Sequence, residues 1–168
     1  MPPDRVADSY AIYSLLMPGE LITSLAHEPN GKWAIGEITV SVADRDPAIP
    51  PEGQLKPPPD APRGFKEAVA DYEANQHVRI RLVRRDFQLS HPFELLSPSQ
   101  VSEVRADKPA GVPGITFFSE VYFDRKHQAA LVYMSNWCAN LCSAGTWVFL
   151  EKHQGHWVRR SGIVVPGS

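Results

Sequence analysis

The sequence predicts an α+β fold, with helices packed on a mostly antiparallel sheet, and two features carry that prediction. Apolar residues recur at three- and four-residue spacing over about residues 5–17 and 64–75, as a buried helix stripe requires. The last third, Gly114 to Val165, holds four short strand-like runs separated by turn residues, which reads as a four-strand meander. The expected form is two main helices on one face of the sheet, with the meander as its best-formed part. A curved sheet of the cystatin or nuclear-transport-factor shape is one form admitted by analogy alone.

Taken in order, Asp4 is placed to cap the first helix, where Val6, Tyr10, Tyr13 and Met17 share a stripe and Pro18-Gly19 stops it. Leu21–Ala26 and Trp33–Val42 read as strands around the turn triplet Pro29-Asn30-Gly31, with Gly36 as a candidate bulge. Residues 43–62 change character. Seven of the sixteen prolines (47, 50, 51, 57, 58, 59 and 62) lie here, so the segment is expected to be an extended surface connection within a single domain spanning 1–168. The second helix carries Phe65, Val69 and Tyr72 on one stripe. Val78-Arg79-Ile80-Arg81-Leu82 then alternates as a strand, and Ser97-Pro98-Ser99-Gln100 has capping-box spacing for a short helix to about Arg105. The four final strands are Ile115–Phe123, Ala129–Ser135, Thr146–Lys152 and Trp157–Val165, the last two joined by a tight Gln154-Gly155 turn. The expected core is Tyr13, Leu16, Val69, Tyr72, Ile80, Leu131, Tyr133, Val148 and Leu150.

At 168 residues, 43% hydrophobic and 21% charged, the chain has the composition of a globular protein, and its net charge of −2 provides no general attraction to nucleic acid or anionic membrane. No apolar run approaches the roughly 20 residues needed to span a bilayer. Met1-Pro2-Pro3-Asp4-Arg5 lacks the apolar centre of a signal peptide, so the chain reads as cytosolic, or as a mature chain with an added methionine.

Chemistry-bearing residues are crowded in one place, Trp137 to Gly145, which holds both cysteines four positions apart. Such a pair can be bridged if the loop curls, and Ala139, Ser143, Ala144 and Gly145 permit that. Three readings stay open: a structural disulfide between Cys138 and Cys142, buried free thiols, or a redox or metal role. Thiol–disulfide catalysts usually place Cys-x-x-Cys at a helix N-terminus, and neither that spacing nor a following helix is present. Cys138-x3-Cys142 ahead of His153-x2-His156 echoes a zinc finger, yet a whole strand separates the pairs, and the histidines are better explained as flanking a hairpin turn. No metal and no cofactor is expected.

Arg79, Arg81, Arg84 and Arg85 form the one basic cluster, and Arg79 and Arg81 on the outer face of a strand are candidates for an anion or ligand site. An exposed strand protected by charge against edge pairing is the preferred reading of them. Glu120, between apolar residues, is expected to face solvent. The sequence holds no Gly-x-Ser-x-Gly elbow, no His-Glu-x-x-His and no phosphate-cradling glycine loop.

Gly114-Ile115-Thr116-Phe117-Phe118-Ser119-Glu120-Val121-Tyr122-Phe123-Asp124, then Gln128-Ala129-Ala130-Leu131-Val132-Tyr133, resembles a family of small uncharacterised exported bacterial proteins. The likeness continues in Cys138-Ala139-Asn140-Leu141-Cys142-Ser143, where the family has a Cys-Gly-x-Leu-Cys-Gly-like loop, and in the hairpin Leu150-Glu151-Lys152…Gly155-His156-Trp157. Tyr10–Ser14 and Asp71–Asn75 also look like its helices. Ala139 and Ser143 stand where the family tends to have glycine, and Asp124 where asparagine is usual. The resemblance implies a secreted or periplasmic, cell-envelope protein with a Cys138–Cys142 disulfide, and it carries no activity. The functional expectation is a non-enzymatic binding or interaction module for an unknown small molecule or protein, not for nucleic acid. A small hydrolase with scattered residues, such as His91 or His127 beside a carboxylate, is the alternative.

Overall fold

Gly36 ends a short strand, and an aromatic ring occupies the space its side chain would take. The computed structural model describes residues 3–18, 32–44, 55, 58, 60, 62–107, 114–139 and 142–160. Within them lie the helices α1 (Pro3–Leu15), α2 (Arg63–Asn75) and α3 (Pro98–Ala106). The strands are β1 (Trp33–Gly36), β2 (Phe93–Leu96), β3 (Ile115–Phe118), β4 (Tyr122–Phe123), β5 (Ala129–Ala139), β6 (Cys142–His153) and β7 (His156–Arg159). The seven form one mixed, mostly antiparallel sheet in the order β2-β1-β3-β5-β6-β7, with β4 also paired to β5, so the fold is α+β with helices on a sheet. By its internal contacts the chain divides into two compact units, and β5 and β6 each contribute to both.

The first unit comprises Met1–Thr39, Ile80–Phe118 and Ser135–Ala144. Its β1 runs parallel to β2 (Trp33↔Phe93 to Gly36↔Leu96) and to β3 (Ala34↔Ile115, Ile35↔Thr116). Gly36 keeps its ladder partner, so the expected bulge is absent. The glycine is there because the Phe117 ring lies on it: a Cβ would stand 2.7 Å from Phe117 Cδ1, closer than carbon atoms approach. Helix α1 starts earlier than expected, with Asp4 inside its first turn instead of ahead of it. It buries Tyr10, Ile12 and Tyr13, and Leu16 is buried just past its end. Tyr13 meets Phe118 at 4.7 Å and Tyr10 meets Phe87 edge-on at 5.0 Å, while Phe87 reaches Phe93 at 5.2 Å. The Tyr10 hydroxyl accepts the Val83 N–H at 2.8 Å, and burial pushes its phenol pKa up. Helix α3 has the capping box read from Ser97 and Gln100.

The segment at 78–82 departs from expectation. Alternation predicts a strand with Val78, Ile80 and Leu82 inward, but only Leu82 is buried, and Val78 is exposed. Pairing is limited to one antiparallel bridge, Ile38 with Arg81. The Thr39 hydroxyl takes the Ile80 N–H at 2.7 Å, a side chain standing in for a ladder carbonyl. Leu21–Ala26, the core of the proline-rich connection and the strand beyond Arg160 lie outside the described residues.

The second unit comprises Val40–Arg79, Ser119–Met134 and Gly145–Ser168. Helix α2 lies against β4 and is tied to it by Asp71, whose Oδ2 accepts the Phe123 N–H at 2.9 Å and whose Oδ1 accepts from Asn75 at 2.8 Å. Its buried residues are Phe65 and Ala68, with Val69 and Tyr72 half-buried, so the buried stripe is rotated from the expected one. Phe65 meets Phe149 at 5.3 Å, and Tyr72 meets both Tyr122 and Trp147 edge-on. Of the expected core, Tyr13, Leu16, Leu131, Tyr133, Val148 and Leu150 are buried, and Ile80 with Val69 and Tyr72 is only half-buried.

The expected strand at 115–123 is broken into β3 and β4 at Ser119–Val121. Ser119 N–H reaches the Tyr133 carbonyl at 2.8 Å, and its Oγ accepts the Tyr133 N–H at 2.9 Å and donates to the Glu120 carbonyl at 2.8 Å. The hairpin between β6 and β7 is as read: Gln154 and Gly155 both have positive φ, 51° and 80°. Two successive residues of that kind match the strands' right-handed twist, and glycine takes the second at no steric cost.

Candidate functional site

The cysteines occupy the ends of two strands. Cys138 is buried in β5 beside Trp137, over whose ring Arg105 lies at 5.7 Å, and Cys142 opens β6. The connection between them is shorter than expected, because β5 runs on to Ala139 and β6 begins at Cys142. The side chain of Cys142 lies outside the described residues; no described cysteine is free. His153 ends β6, the whole length of that strand from Cys142, which keeps the two pairs apart.

Arg79 and Arg81 are both exposed, on irregular backbone instead of the face of a strand. Arg81 pairs with Glu37 at 3.4 Å. Arg79 acts on Asp44, whose carboxyl is held below its ordinary range first by a hydrogen bond with His77 at 2.5 Å and in smaller part by Arg79. Arg84, read as part of the same cluster, donates to the Phe93 carbonyl and covers the Phe93 ring.

Asp44 and His77 also bring Ser41 near, and the three residue types are those of a nucleophilic triad. The geometry is of another kind. Ser41 is fully buried; its hydroxyl donates to the Gln76 carbonyl at 2.6 Å and accepts the Asp44 N–H at 3.2 Å. One bond closes a turn and the other ties that turn to Gln76 beyond the end of α2, and a serine enclosed in this way has no path to a substrate carbonyl. The other described histidines named as candidates are engaged with rings: His91 stacks on Trp33 at 4.0 Å and His127 on Phe123 at 4.7 Å.

Glu120 corrects the expectation of a solvent-facing carboxylate, for it is 4% exposed. Every residue from Gly114 to Asp124 is buried, so alternation could not tell which way Glu120 points. It belongs to a polar cluster with Ser119, Tyr122 and Asp71. Burial raises the Tyr122 phenol far above the usual tyrosine range, and the charge of Glu120 adds to that, followed by Tyr72 and Asp71. Tyr122 therefore stays protonated at all ordinary pH values.

An open cleft of about 500 Å³ lies beside the β6–β7 hairpin, lined by Asp60, Pro62, Glu151, His153, Val158, Arg159 and Arg160. Arg160 is clamped by two carboxylates, Glu151 at 2.8 Å and Asp60 at 2.5 Å, which holds the end of the proline-rich connection against the hairpin. The bond to Arg160 lowers the Asp60 pKa. A carboxyl depressed in the folded state stabilises it at pH above the unfolded value of 3.8, and that contribution is lost as the pH falls through the folded value. The melting temperature of R160Q is therefore expected below that of the native chain near neutral pH, with the gap closing on acidification. Thermal melts from about pH 7 to about pH 2 check this; a gap that stays constant with pH would refute it.

Nothing in the sequence outside the tight turn marked this cleft, because Asp60 reaches Arg160 across a hundred positions. Among the described residues no group of three or more His, Cys, Asp and Glu side chains is placed to hold a metal ion, and no helix is long and apolar enough to cross a membrane. Compared with protein-family models, with curated proteins and with solved structures, the chain finds no match.

Proposed function

We propose that the protein is a non-enzymatic binding module of the secreted or cell-envelope space, and that it takes a small molecule or a protein segment into the cleft beside the β6–β7 hairpin. The supporting observation is how the reactive groups are used. Ser41, Asp71 and Ser119 accept or donate hydrogen bonds to backbone groups, and His91 and His127 lie flat on aromatic rings. The cleft instead offers exposed Val158 among groups of both charges, a mixture suited to a ligand with an apolar part and a polar end.

A thermal-shift screen of metabolites and peptides tests this, since a ligand that binds only the folded state raises the melting temperature. V158E is expected to abolish the shift given by any true ligand of the cleft. Turnover of a hit, kept in V158E, would instead establish the hydrolase reading.

The compartment enters the same proposal through the cysteines. A Cys138–Cys142 bridge accords with an exported protein and with the absence of a free described cysteine. Breaking it by C138S/C142S is expected to cost roughly 1–3 kcal/mol, at the low end for disulfides, because so short a closed loop restricts the unfolded chain little. Intact mass of the unreduced protein decides the premise: two thiols alkylated in the native state would count against bridge and export alike.

A further inference from the structure

The two histidines of the hairpin, of which His153 lines the cleft and His156 does not, form a pair of their own. His153 closes β6, His156 opens β7, and the register sets them directly opposite each other. Directly opposed residues share a face of the sheet with Cβ atoms about 4.5–5.5 Å apart. Both are exposed. Two imidazoles so placed can each point a ring nitrogen at one point between them, since a metal–nitrogen bond is about 2.0–2.1 Å long.

The support beneath them is rigid. The turn is the shortest that a hairpin allows, with Gln154 and Gly155 in the left-handed region. The next pair inward, Lys152 with Trp157, is on the opposite face, where Trp157 is buried and the Lys152 ammonium lies 5.4 Å from its ring centre. The Lys152 N–H is bonded to the Gln128 carbonyl at 2.8 Å. On the histidine face the neighbouring pair is Glu151 with Val158, and Glu151 is held by Arg160. Arg160, the cation nearest on that face by register, is itself neutralised by Glu151 and Asp60, so it does not oppose a second positive charge.

We propose that His153 and His156 together bind a divalent transition-metal ion of the borderline class, Cu²⁺ most tightly and then Ni²⁺ or Zn²⁺, with water completing its shell. Imidazole nitrogen suits those ions, and Cu²⁺ leads the usual affinity order. Binding through both rings makes the second bond intramolecular, which is what distinguishes this pair from any lone surface histidine.

CuCl₂ titrated into the untagged full chain, by calorimetry and by amide NMR, tests the pair. The expected result is a one-to-one complex whose paramagnetic broadening centres on residues 151–158. H153N and H156N are each expected to weaken it about tenfold or more. H127N, a histidine held elsewhere by stacking on Phe123, is expected to leave it within about twofold of native. Because both hairpin side chains are exposed, their replacement leaves the fold intact, and an unchanged circular-dichroism spectrum verifies that. Broadening centred elsewhere, or single variants that lose only about twofold as independent sites would, overturns the proposal.

Discussion

Replacing Asp124 with alanine is expected to cost about 2–4 kcal/mol of stability, because one carboxylate oxygen organises the whole β4–β5 turn. Its Oδ1 accepts the N–H groups of Gln128 and Ala129, both at 2.8 Å. The turn is tight: the His127 N–H reaches the Asp124 carbonyl at 3.2 Å, and His127 itself is at φ 53°. Alanine would leave two donors with no acceptor, one of them buried, and a stranded donor costs about 1–3 kcal/mol. Asparagine presents the same oxygen, and D124N is expected to lose less than about 1 kcal/mol. Urea denaturation of the two variants measures the difference. Equal losses in D124A and D124N would show that the carboxylate's charge, not its oxygen as an acceptor, carries the effect.

The features legible in the sequence are those whose cause lies within a few residues. Gln154-Gly155 specifies its own hairpin, and Ser97 with Gln100 specifies the start of α3 through reciprocal bonds to each other's backbone. The stripe of Tyr10 and Tyr13 needs only helical periodicity to be found. The signal for β2 is not local. Phe93–Leu96 is four residues long and is made a strand by a parallel partner sixty positions earlier, Trp33–Gly36. The opposite error, at Val78–Leu82, has the same root: alternation is present, but only one bridge reaches it.

The candidate site was less legible than the fold. That His153 and His156 flank a turn is legible in the sequence, yet their opposition follows only from the register. For Glu120, period-two alternation reports a buried face only when the other face is wet. Where Gly114 to Asp124 is buried throughout, both parities look alike. The clamp on Arg160 joins residues that no pattern links. Contacts of this kind are the ones that pairing over long separations creates.

Truncating Phe118 to alanine is expected to have the largest effect of any single change, about 3–5 kcal/mol. The side chain is fully buried in β3, and its ring packs on Tyr13 at 4.7 Å, where α1 meets the sheet. The loss combines the transfer of an aromatic ring to water with the cavity that a closely packed neighbourhood cannot refill. F118L keeps most of the volume and is expected to lose no more than about 1.5 kcal/mol. A double-mutant cycle of F118L with Y13L isolates the ring pair, at about 0.5–1.5 kcal/mol beyond burial. Hydrogen exchange on F118A and D124A carries the test further, since Phe118 belongs to the first compact unit and Asp124 to the second. In one cooperative domain each variant weakens protection in β1 and in β4 by the same amount. If F118A loosens β1 while β4 keeps native protection, the 168 residues fold as two cooperative units and the single-domain expectation falls.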